Sequence, residues 1–264
     1  MIKKYKYFLL LPVGALGLLS YQNCGSGSSL GTGVPGVTAA GVGTGEAGLG
    51  RGPSPVNLGS AGNFIILGQS AITDVPSSAI TGNVGLSPAT GASIGLACPE
   101  VTGNIYSVDA AGPACKITSA AALTTAFNDK GTAYTDAAGR APDYTELAAG
   151  NIGGMNLGPA TYKWSTALSM TSNVTLTGGP HDVWIFQVAQ GLVVSSGVQI
   201  VLAGGALPQN IFWQVFSAAN LGTTSQFKGT IISQTSVVMK TGATINGRLL
   251  AGTAISLDQN TVTP

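Results

Sequence analysis

Residues 230–247 have the sequence TIISQTSVVMKTGATING, in which short apolar runs rich in β-branched residues end at Gly, Ser or Thr. Related units begin at Val183, Asn210 and Arg248, so that successive units start 27, 20 and 18 residues apart. Each unit contains two or three strand-like runs, and this period is typical of a β-solenoid coil with three faces. The sequence therefore predicts a mainly β fold built as a three-faced solenoid. Propeller and sandwich folds would need clearer hairpin signals.

Two-residue alternation sorts the side chains on one of the predicted faces. The inward set is apolar and consists of Val174, Leu176, Val198, Ile200, Phe227, Ile245 and Val262. Its outward neighbours are neutral and mostly hydroxylated, and they are Thr175, Thr177, Gln199, Thr244, Asn246, Thr261 and Thr263. We expect these outward residues to stack into one surface.

The composition excludes several partners. Charged residues make up 8% of the chain, compared with about 25% in an ordinary globular protein. The formal net charge is +1 and 39 of the 264 residues are Gly. A chain so close to neutral has no basic surface for nucleic acid or for anionic lipid. Its surface must therefore be formed by Thr, Ser, Asn, Gln and backbone groups.

One segment departs from the strand pattern. Residues 118–138 are rich in Ala and begin with Thr118 or Ser119 as a candidate N-cap, which predicts a helix of about five turns. Its apolar side is predicted to hold Ala122, Leu123, Ala126, Phe127 and Tyr134. We expect this side to cover the solenoid face that carries Trp184, Phe186, Ile211 and Trp213.

The first residues resemble an export signal. Lys3, Lys4 and Lys6 precede an apolar run of about a dozen residues, which is too short to span a bilayer. Residues 1–23 are therefore interpreted as a signal, and Cys24 follows it as in a bacterial lipoprotein, with simple cleavage nearby as the alternative. Residues 24–52 are rich in Gly and Ser and predict a flexible linker. The folded domain then covers residues 53–264, and the protein is expected to be secreted or lipid-anchored at the bacterial cell surface.

The three Cys residues allow one disulfide within the chain. Cys98 and Cys115 lie 17 positions apart across a segment with Gly and Pro at its breaks, which predicts a loop or cap insertion over residues 98–115. A disulfide between them would suit an oxidising compartment and would leave Cys24 for lipidation. Two free thiols are the alternative. A zinc site is disfavoured because His181 is the sole His and the chain has no CxxC motif.

Catalytic signals are weak. His181 and Asp182 are adjacent in GGPHDVW, where neighbouring side chains point in opposite directions, so a solvated turn is predicted. The Asp residues are scattered along the chain, whereas solenoid enzymes that cleave acidic polysaccharides cluster their charges. The Gly-rich segments do not follow the order of strand, loop and helix that a phosphate-binding loop requires. We therefore predict no catalytic residue, no metal and no cofactor.

Several ordered blocks carry a family resemblance. They are VNLGSAGNFIILGQSAITDVPSSAITGNVGLSP at 56–88, VWIFQV at 183–188, VLAGGALPQNIFWQV at 201–215, FKGTIISQTSVVMKTGATINGRLLA at 227–251 and NTVTP at 260–264. Together with the Ala-rich segment, they resemble the microbial ice-binding proteins. The resemblance implies a discontinuous right-handed β-solenoid flanked by one long helix, with the N-terminal strands stacked beside the C-terminal coils. It also implies that residues 98–115 form a cap.

The resemblance further implies a site. Some members of the family carry a Thr-Ala/Gly-x-Thr/Asn signature on the face that contacts ice. TGAT at 241–244 fits the signature, SAIT at 70–73 and 78–81 fits with Ser for Thr, and TAIS at 253–256 fits loosely. SNVT at 172–175, SGVQ at 196–199 and TTSQ at 223–226 depart from it. The expected ice-binding residues are Ser70, Thr73, Thr81, Ser172, Thr175, Thr177, Ser196, Gln199, Thr241, Thr244, Asn246, Thr261 and Thr263.

This expectation has a physical basis. Ice offers a lattice of waters without net charge, and Thr combines a methyl group, a hydroxyl group and a restricted χ1. The partner is therefore expected to be an ice crystal bound by a monomer, with a membrane involved only through the lipid anchor. A cell-surface adhesin or carbohydrate-binding solenoid is the alternative function, and a polysaccharide-cleaving enzyme is a more distant one.

Overall fold

The computed structural model describes residues 50–264. The predicted export signal, Cys24 and nearly all of the predicted linker lie outside this range. The strands of the first part are β1 (Phe64–Gly68), β2 (Ala71–Val75), β3 (Ala79–Thr81), β4 (Asn83–Leu86), β5 (Val101–Thr102), β6 (Ile105–Ser107), β7 (Ile117–Thr118), β8 (Tyr144–Thr145) and β9 (Asn156–Leu157). Helix α1 (Ala120–Gly139) lies between β7 and β8.

The second part consists of strands that succeed one another through short turns. They are β10 (Thr161–Trp164), β11 (Leu168–Met170), β12 (Val174–Thr177), β13 (Trp184–Val188), β14 (Leu192–Val194), β15 (Ile200–Ala203), β16 (Ile211–Val215), β17 (Ala219–Leu221), β18 (Gln226–Lys228), β19 (Thr230–Ser233), β20 (Val237–Met239), β21 (Thr244–Asn246), β22 (Leu249–Leu250), β23 (Ala254–Asp258) and β24 (Thr261–Thr263). Between residues 50 and 264, five short 3-10 helices occur at Gly59–Asn63, Gly91–Ser93, Cys98–Glu100, Leu147–Gly150 and Pro208–Asn210.

The strands stack in parallel into a solenoid with three faces, which confirms the predicted architecture. Face a is the ten-stranded sheet β7-β6-β4-β1-β22-β19-β16-β13-β10-β8. Face b is the six-stranded sheet β11-β14-β17-β20-β23-β2. Face c consists of the sheets β15-β12-β9 and β18-β21-β24-β3-β5, which an isolated bridge joins at Gln199 and Gln226.

The chain enters the stack in a discontinuous order. β1, β2 and β3 pair with β22, β23 and β24 respectively, so the first coil of the domain lies against the last. β4, β5 and β6 then extend the stack beyond β1 and β3. This arrangement agrees with the expectation drawn from the family resemblance.

The interior is filled by the inward side chains of the three faces. All seven residues predicted to point inward on one face are buried in it. Aromatic rings form a stack under face a, with 5.1 Å between the centroids of Tyr144 and Tyr162, 5.3 Å between Tyr162 and Phe186, and 3.8 Å between Phe186 and Trp213. The indole N–H groups of Trp164, Trp184 and Trp213 donate to backbone carbonyls, so no buried indole is left without a partner.

Helix α1 packs on face a, as predicted, but against other side chains. Trp184, Phe186, Ile211 and Trp213 point into the solenoid, and the helix instead covers their outward neighbours. The residues of face a beneath it include Ile185, Phe212, Ile232 and Leu250. The prediction chose the correct face and the wrong side of its strands, because strands buried on both sides give no apolar and polar alternation.

The buried side of the helix also differs in detail from the prediction. The buried residues are Leu123, Ala126, Lys130, Ala133, Tyr134 and Ala137. Ala122 is exposed and Phe127 is half-buried. Position 130 lies on the stripe that begins at Leu123 and Ala126, whereas position 122 is turned about 100° from Leu123 around the helix axis. The presence of a Lys on this stripe hid the pattern, because Lys is seldom buried.

Two predicted boundaries shift. The chain is already attached to the solenoid at Arg51, whose backbone carbonyl accepts from Val183 N and whose side chain pairs with Asp182, so the linker ends before residue 52. The segment 98–115, predicted as a loop, contains β5 and β6, which continue the stack. The disulfide predicted between Cys98 and Cys115 is present, with 5.9 Å between the two Cα atoms.

Candidate functional site

Face b carries one outward column that runs through all six of its strands. The register places Ser169, Val193, Asn220, Val238, Ser256 and Thr73 side by side in that order. Adjacent strands of a sheet lie about 4.8 Å apart, so five spacings give a column roughly 24 Å long. All six side chains are short and neutral.

The residues before this column repeat as well. Two positions earlier stand Ala167, Gly191, Ala218, Ser236, Ala254 and Ala71, and one position before these stand Thr166, Gln190, Ser217, Thr235, Thr253 and Ser70. The chain thus enters the six strands through the segments TALS, QGLV, SAAN, TSVV, TAIS and SAIT, which start one or two residues before each strand. Each segment has a small second residue, and none contains a charge.

Face c carries neutral side chains in a less regular arrangement. In its larger sheet, Gln226, Thr244, Thr261 and Ala79 form one outward column, and Lys228, Asn246 and Thr263 belong to a second column that continues through Thr81 to Thr102. In its smaller sheet, the Thr177 hydroxyl donates to Asn156 Oδ1 over 2.7 Å. Exposed Val201 pairs with Thr175.

The residues expected to form one ice-binding face are divided by the structure. Ser70 and Thr73 lie on face b, and Ser172, Ser196 and Thr241 lie in the turns between face b and face c. The remaining eight belong to face c, and they are Thr81, Thr175, Thr177, Gln199, Thr244, Asn246, Thr261 and Thr263. The structure therefore does not bring the thirteen residues together on one face.

The reason is that the four-residue signature occurs in two backbone conformations, a strand start and a corner turn. TAIS at 253–256 leads into β23, with Ala254 and Ser256 both outward. TGAT at 241–244 instead turns a corner, because Gly242 has φ of 68° and Ala243 is fully buried. Sequence reasoning missed TALS, QGLV, SAAN and TSVV on face b. Their constant position two residues after a buried face a strand was the signal that could have aligned them.

The corner between face b and face c holds ionisable groups. Lys240 is exposed at the end of β20, and Asp258, at the end of β23, accepts from the Thr241 hydroxyl. Asp74, at the end of β2, accepts from the Ser78 hydroxyl. Burial and the neighbouring Glu100 raise the pKa of Asp74, and the bond from Ser78 only partly offsets this rise. These charges lie beside the six segments of face b and outside them.

His181 and Asp182 do not form an acid and base pair. His181 is exposed, whereas Asp182 is buried, which corrects the prediction of a solvated turn for this carboxylate. Burial alone would raise the pKa of Asp182, but hydrogen bonds from the backbone N–H groups of Arg51 and Gly179 and from the Arg51 guanidinium lower it. Asp182 therefore acts as an anchor for Arg51 rather than as a proton donor.

A groove of about 350 Å³ lies beside the second half of α1. Its lining residues are Tyr134, Ala138, Lys163, Trp164, Gln187, Ala189, Gln214 and Phe216, which include no carboxylate and no His. Glycoside cleavage usually requires a pair of carboxylates, so this groove lacks the groups for it. Within residues 50–264, no group of three or more His, Cys, Asp or Glu side chains could hold a metal ion. No helix in the same range is long and apolar enough to cross a membrane.

Comparison with known proteins identifies the family to which the chain belongs. A family model described as Ice-binding-like matches residues 66–263. The chain belongs to this ice-binding-like family. An ice-binding protein of Flavobacterium frigoris (strain PS1) is 59% identical over 209 residues, which cover 79% of this chain and 76% of the relative. One from Colwellia sp is 50% identical over 216 residues, covering 81% and 85% of the two chains.

Solved structures of the family share the solenoid. The structure of the ice-binding protein LeIBP from an Arctic yeast, described with its antifreeze activity, has a TM-score of 0.75 at 36% identity and covers 79% of this chain and 94% of that chain. An ice-binding protein from an Antarctic biological consortium has a TM-score of 0.71 at 38% identity, covering 80% and 92%. Members of the ice-binding-like family therefore share this fold at moderate sequence identity.

Proposed function

We propose that this protein binds ice through face b and thereby slows crystal growth. The observation that carries the proposal is the neutral four-residue segment that leads into each of the six strands in register, from TALS at β11 to SAIT at β2. The relatives named as ice-binding proteins support the activity. The face itself is inferred from the geometry of this chain.

The chemistry of face b suits an ordered water layer. Outward residues repeat about every 4.8 Å across the strands and about every 6.7 Å along them, spacings comparable to those between waters in ice planes. The hydroxyl and amide groups of Ser169, Asn220, Ser256 and Thr73 can form hydrogen bonds with a water network. The methyl groups of Val193 and Val238 form no hydrogen bonds, so the waters beside them bond to one another. Strand pairing fixes the backbone, and β-branching restricts χ1 of Thr73, Val193 and Val238, so little conformational entropy is lost on adsorption.

Face b is favoured over the other two faces for structural reasons. Face a is covered by α1 where the helix packs on Ile185, Phe212, Ile232 and Leu250. Face c changes from one sheet to another at Gln199 and carries Lys228, whose ammonium group holds a hydration shell unlike ice. Face b keeps one register through six strands.

The test is to place a large ring on face b and to measure thermal hysteresis. We choose Asn220→Tyr in the centre of the column and Ser256→Tyr two strands away. Either ring would stand above a surface that must lie flat against a water layer. Hysteresis should fall to about a tenth or less of its original value, while the unfolding midpoint changes little because exposed strand substitutions seldom cost more than about 0.5 kcal/mol.

Two matched variants complete the experiment. Thr132→Tyr places the same ring on the exposed side of α1, and Thr244→Tyr places it on face c. Both are expected to retain hysteresis. If Thr244→Tyr abolishes hysteresis while Asn220→Tyr and Ser256→Tyr keep it, the contact surface is face c and the choice made here is wrong. If the original protein is folded but shows no thermal hysteresis, the proposal of ice binding itself is wrong.

We also infer that the protein acts by adsorption at a cell surface and not by catalysis. The lining of the groove beside α1 lacks the carboxylate pair that polysaccharide cleavage would need. The signal-like pattern that ends at Cys24, together with the disulfide between Cys98 and Cys115, supports export to an oxidising compartment. Attachment through a lipidated Cys24 is the more specific form of this inference.

A further inference from the structure

Neighbouring segments of face b are joined at the corner where the chain turns from face a into face b. At this corner the backbone N–H of the first residue of one segment donates to the carbonyl of the first residue of the adjacent segment. The bond measures 3.0 Å from Ser217 to Gln190, 3.1 Å from Thr253 to Thr235 and 3.2 Å from Ser70 to Thr253. Three of the five steps between the six segments therefore share one direct bond, which fixes each segment against the next.

The central step is made differently. It joins SAAN, which leads into β17, to TSVV, which leads into β20. Here the backbone N–H of Thr235 donates to the Ser233 hydroxyl over 3.1 Å, and that hydroxyl donates to the Ser217 carbonyl over 2.7 Å. The Ser233 side chain thus stands between the two groups that bond directly at the other three steps. Because Ser233 is fully buried, loss of its hydroxyl would leave both groups without this partner.

Helix α1 holds Ser233 from the other side. The Lys130 ammonium group donates to the Ser233 carbonyl over 2.7 Å, and Lys130 is itself only 4% exposed. Ser233 is the last residue of β19, so this bond fixes the end of the face a strand from which the chain enters TSVV. The helix that covers face a therefore reaches the corner of face b through the Lys130 side chain.

We propose that Lys130 and Ser233 are positioning residues for face b, which hold the segments SAAN and TSVV in one plane. This inference rests on the proposed function of face b, and it gives helix α1 a part in that function. The two segments carry Asn220 and Val238, which are adjacent at the centre of the outward column. A binding surface must be held within roughly 0.5 Å of its working geometry, so a shift between these two strands would disturb the fit to an ordered water layer.

The first test removes the bridging hydroxyl. For Ser233→Ala we expect thermal hysteresis to fall to about a third of the original or less, because the tolerance of a binding surface is only roughly 0.5 Å. Ser233→Thr restores a hydroxyl and should retain most of the hysteresis. The β-branched side chain has room at this position, since Val215 occupies the paired position of the adjacent strand.

A matched control makes the same substitution at another buried serine. Ser225 is fully buried, and its hydroxyl has no hydrogen-bond partner in the part of the chain that the structure describes. Ser225→Ala should therefore keep the hysteresis of the original protein. It separates loss of the bridging bond from the effect of removing a buried oxygen.

The second test removes the support from the helix. Lys130→Met fills similar space without the donor, and hysteresis should fall to about half or less if the corner moves beyond the roughly 0.5 Å tolerance. The unfolding midpoint should change little, because the lost hydrogen bond and the relief of a buried charge oppose each other. Leu123→Ala is the opposite control, since it opens a cavity two turns earlier in α1. It should lower the unfolding midpoint and keep the hysteresis near 0 °C.

Asn220→Tyr separates failure of this inference from failure of the proposed function. If Asn220→Tyr keeps hysteresis, the proposed function of face b fails, and this inference fails with it. If Asn220→Tyr loses hysteresis while Ser233→Ala and Lys130→Met keep it, the positioning role is wrong and the proposed function stands. If Leu123→Ala or Ser225→Ala lowers hysteresis as much as Ser233→Ala, the loss is a general response to a disturbed core, and the positioning role is again wrong.

Discussion

At the scale of single residues, several carboxylates of this protein bind groups of its own folded chain. Asp182 binds Arg51 and the N–H of Gly179, and Asp136 pairs with Arg140 one helical turn away. Bonds from the Ser60 hydroxyl and backbone lower the pKa of Asp129, and those from Thr90 and Gly91 do the same for Asp109. These carboxylates are held away from the neutral segments of face b.

Lys130 differs from these groups, because it is buried and pairs with no carboxylate of the described part of the chain. The side chain is 4% exposed, and its ammonium group donates to the Ser233 carbonyl over 2.7 Å. Burial lowers the pKa of Lys130 from 10.5 to about 8. The cost of burying its charge is present in full below pH 8, where both the folded and the unfolded chain carry the proton.

The buried Lys130 predicts that the protein becomes more stable as the pH rises above about 8. Between about pH 8 and pH 10.5 the unfolded state binds a proton at Lys130 that the folded state has lost, so the free energy of unfolding rises with pH by up to about 1.4 kcal/mol per pH unit. Urea unfolding of the original protein and of Lys130→Met at pH 7 and pH 10 measures the effect. The variant should lack this gain, and an equal rise in both proteins would contradict the assignment.

At the scale of elements, the sequence predicted what alternation and period encode. The coil period, the inward residues of face c and a helix within two residues of its observed ends all follow from local patterns. The side of face a beneath α1 could not be predicted, since both sides of β13 and β16 are buried. Nor could a turn such as TGAT be separated from a strand start such as TAIS, because Gly and Ala occur in both.

The cap at 98–115, which contains β5 and β6, gives the prediction at this scale. The disulfide closes a loop between residues 17 positions apart, and such a loop is expected to contribute about 3 kcal/mol through its effect on the unfolded chain. Cys98→Ser/Cys115→Ser should lower the free energy of unfolding by roughly that amount. Thermal hysteresis of the folded variant near 0 °C should persist, because the six strands of face b exclude the cap.

Denaturant unfolding and intact mass test this prediction together. The mass of the original protein should increase by the two hydrogens of one disulfide on reduction, whereas the mass of the double Ser variant should not change. Free thiols in the untreated protein, or equal unfolding free energies for the two proteins, would contradict the stabilising role. Loss of hysteresis in a variant that remains folded would place the cap within the ice contact.

At the scale of the whole molecule, the order of the coils depends on contacts that no local pattern records. The strand pair β1–β22 joins residues more than 180 positions apart, as in the pairing of Ile66 with Leu249. This discontinuous order of the strands was predicted from the family resemblance, because periodicity along the chain does not encode it. The attachment of Arg51 to Asp182, across 131 positions, was missed for the same reason.

That attachment determines where the preceding chain meets the solenoid. Asp182 lies in the turn between β12 on face c and β13 on face a, at the corner opposite face b. The buried carboxylate binds both the backbone N–H and the guanidinium of Arg51, which holds the chain at this corner. Arg51 is therefore held at the corner that lies away from face b.

The last prediction concerns the linker predicted at 24–52. If Cys24 carries a lipid, Cys24→Ala should move the protein from the membrane fraction to the soluble fraction of an exporting host, because the acyl chains supply the membrane affinity. Ser26→Ala, two residues away, is the matched control and should stay with the membrane. Cells that display the anchored protein should bind ice, and cells that display the Asn220→Tyr variant should not, since the anchor corner lies opposite face b. Equal partition of the Cys24→Ala variant and the original protein would instead indicate plain secretion.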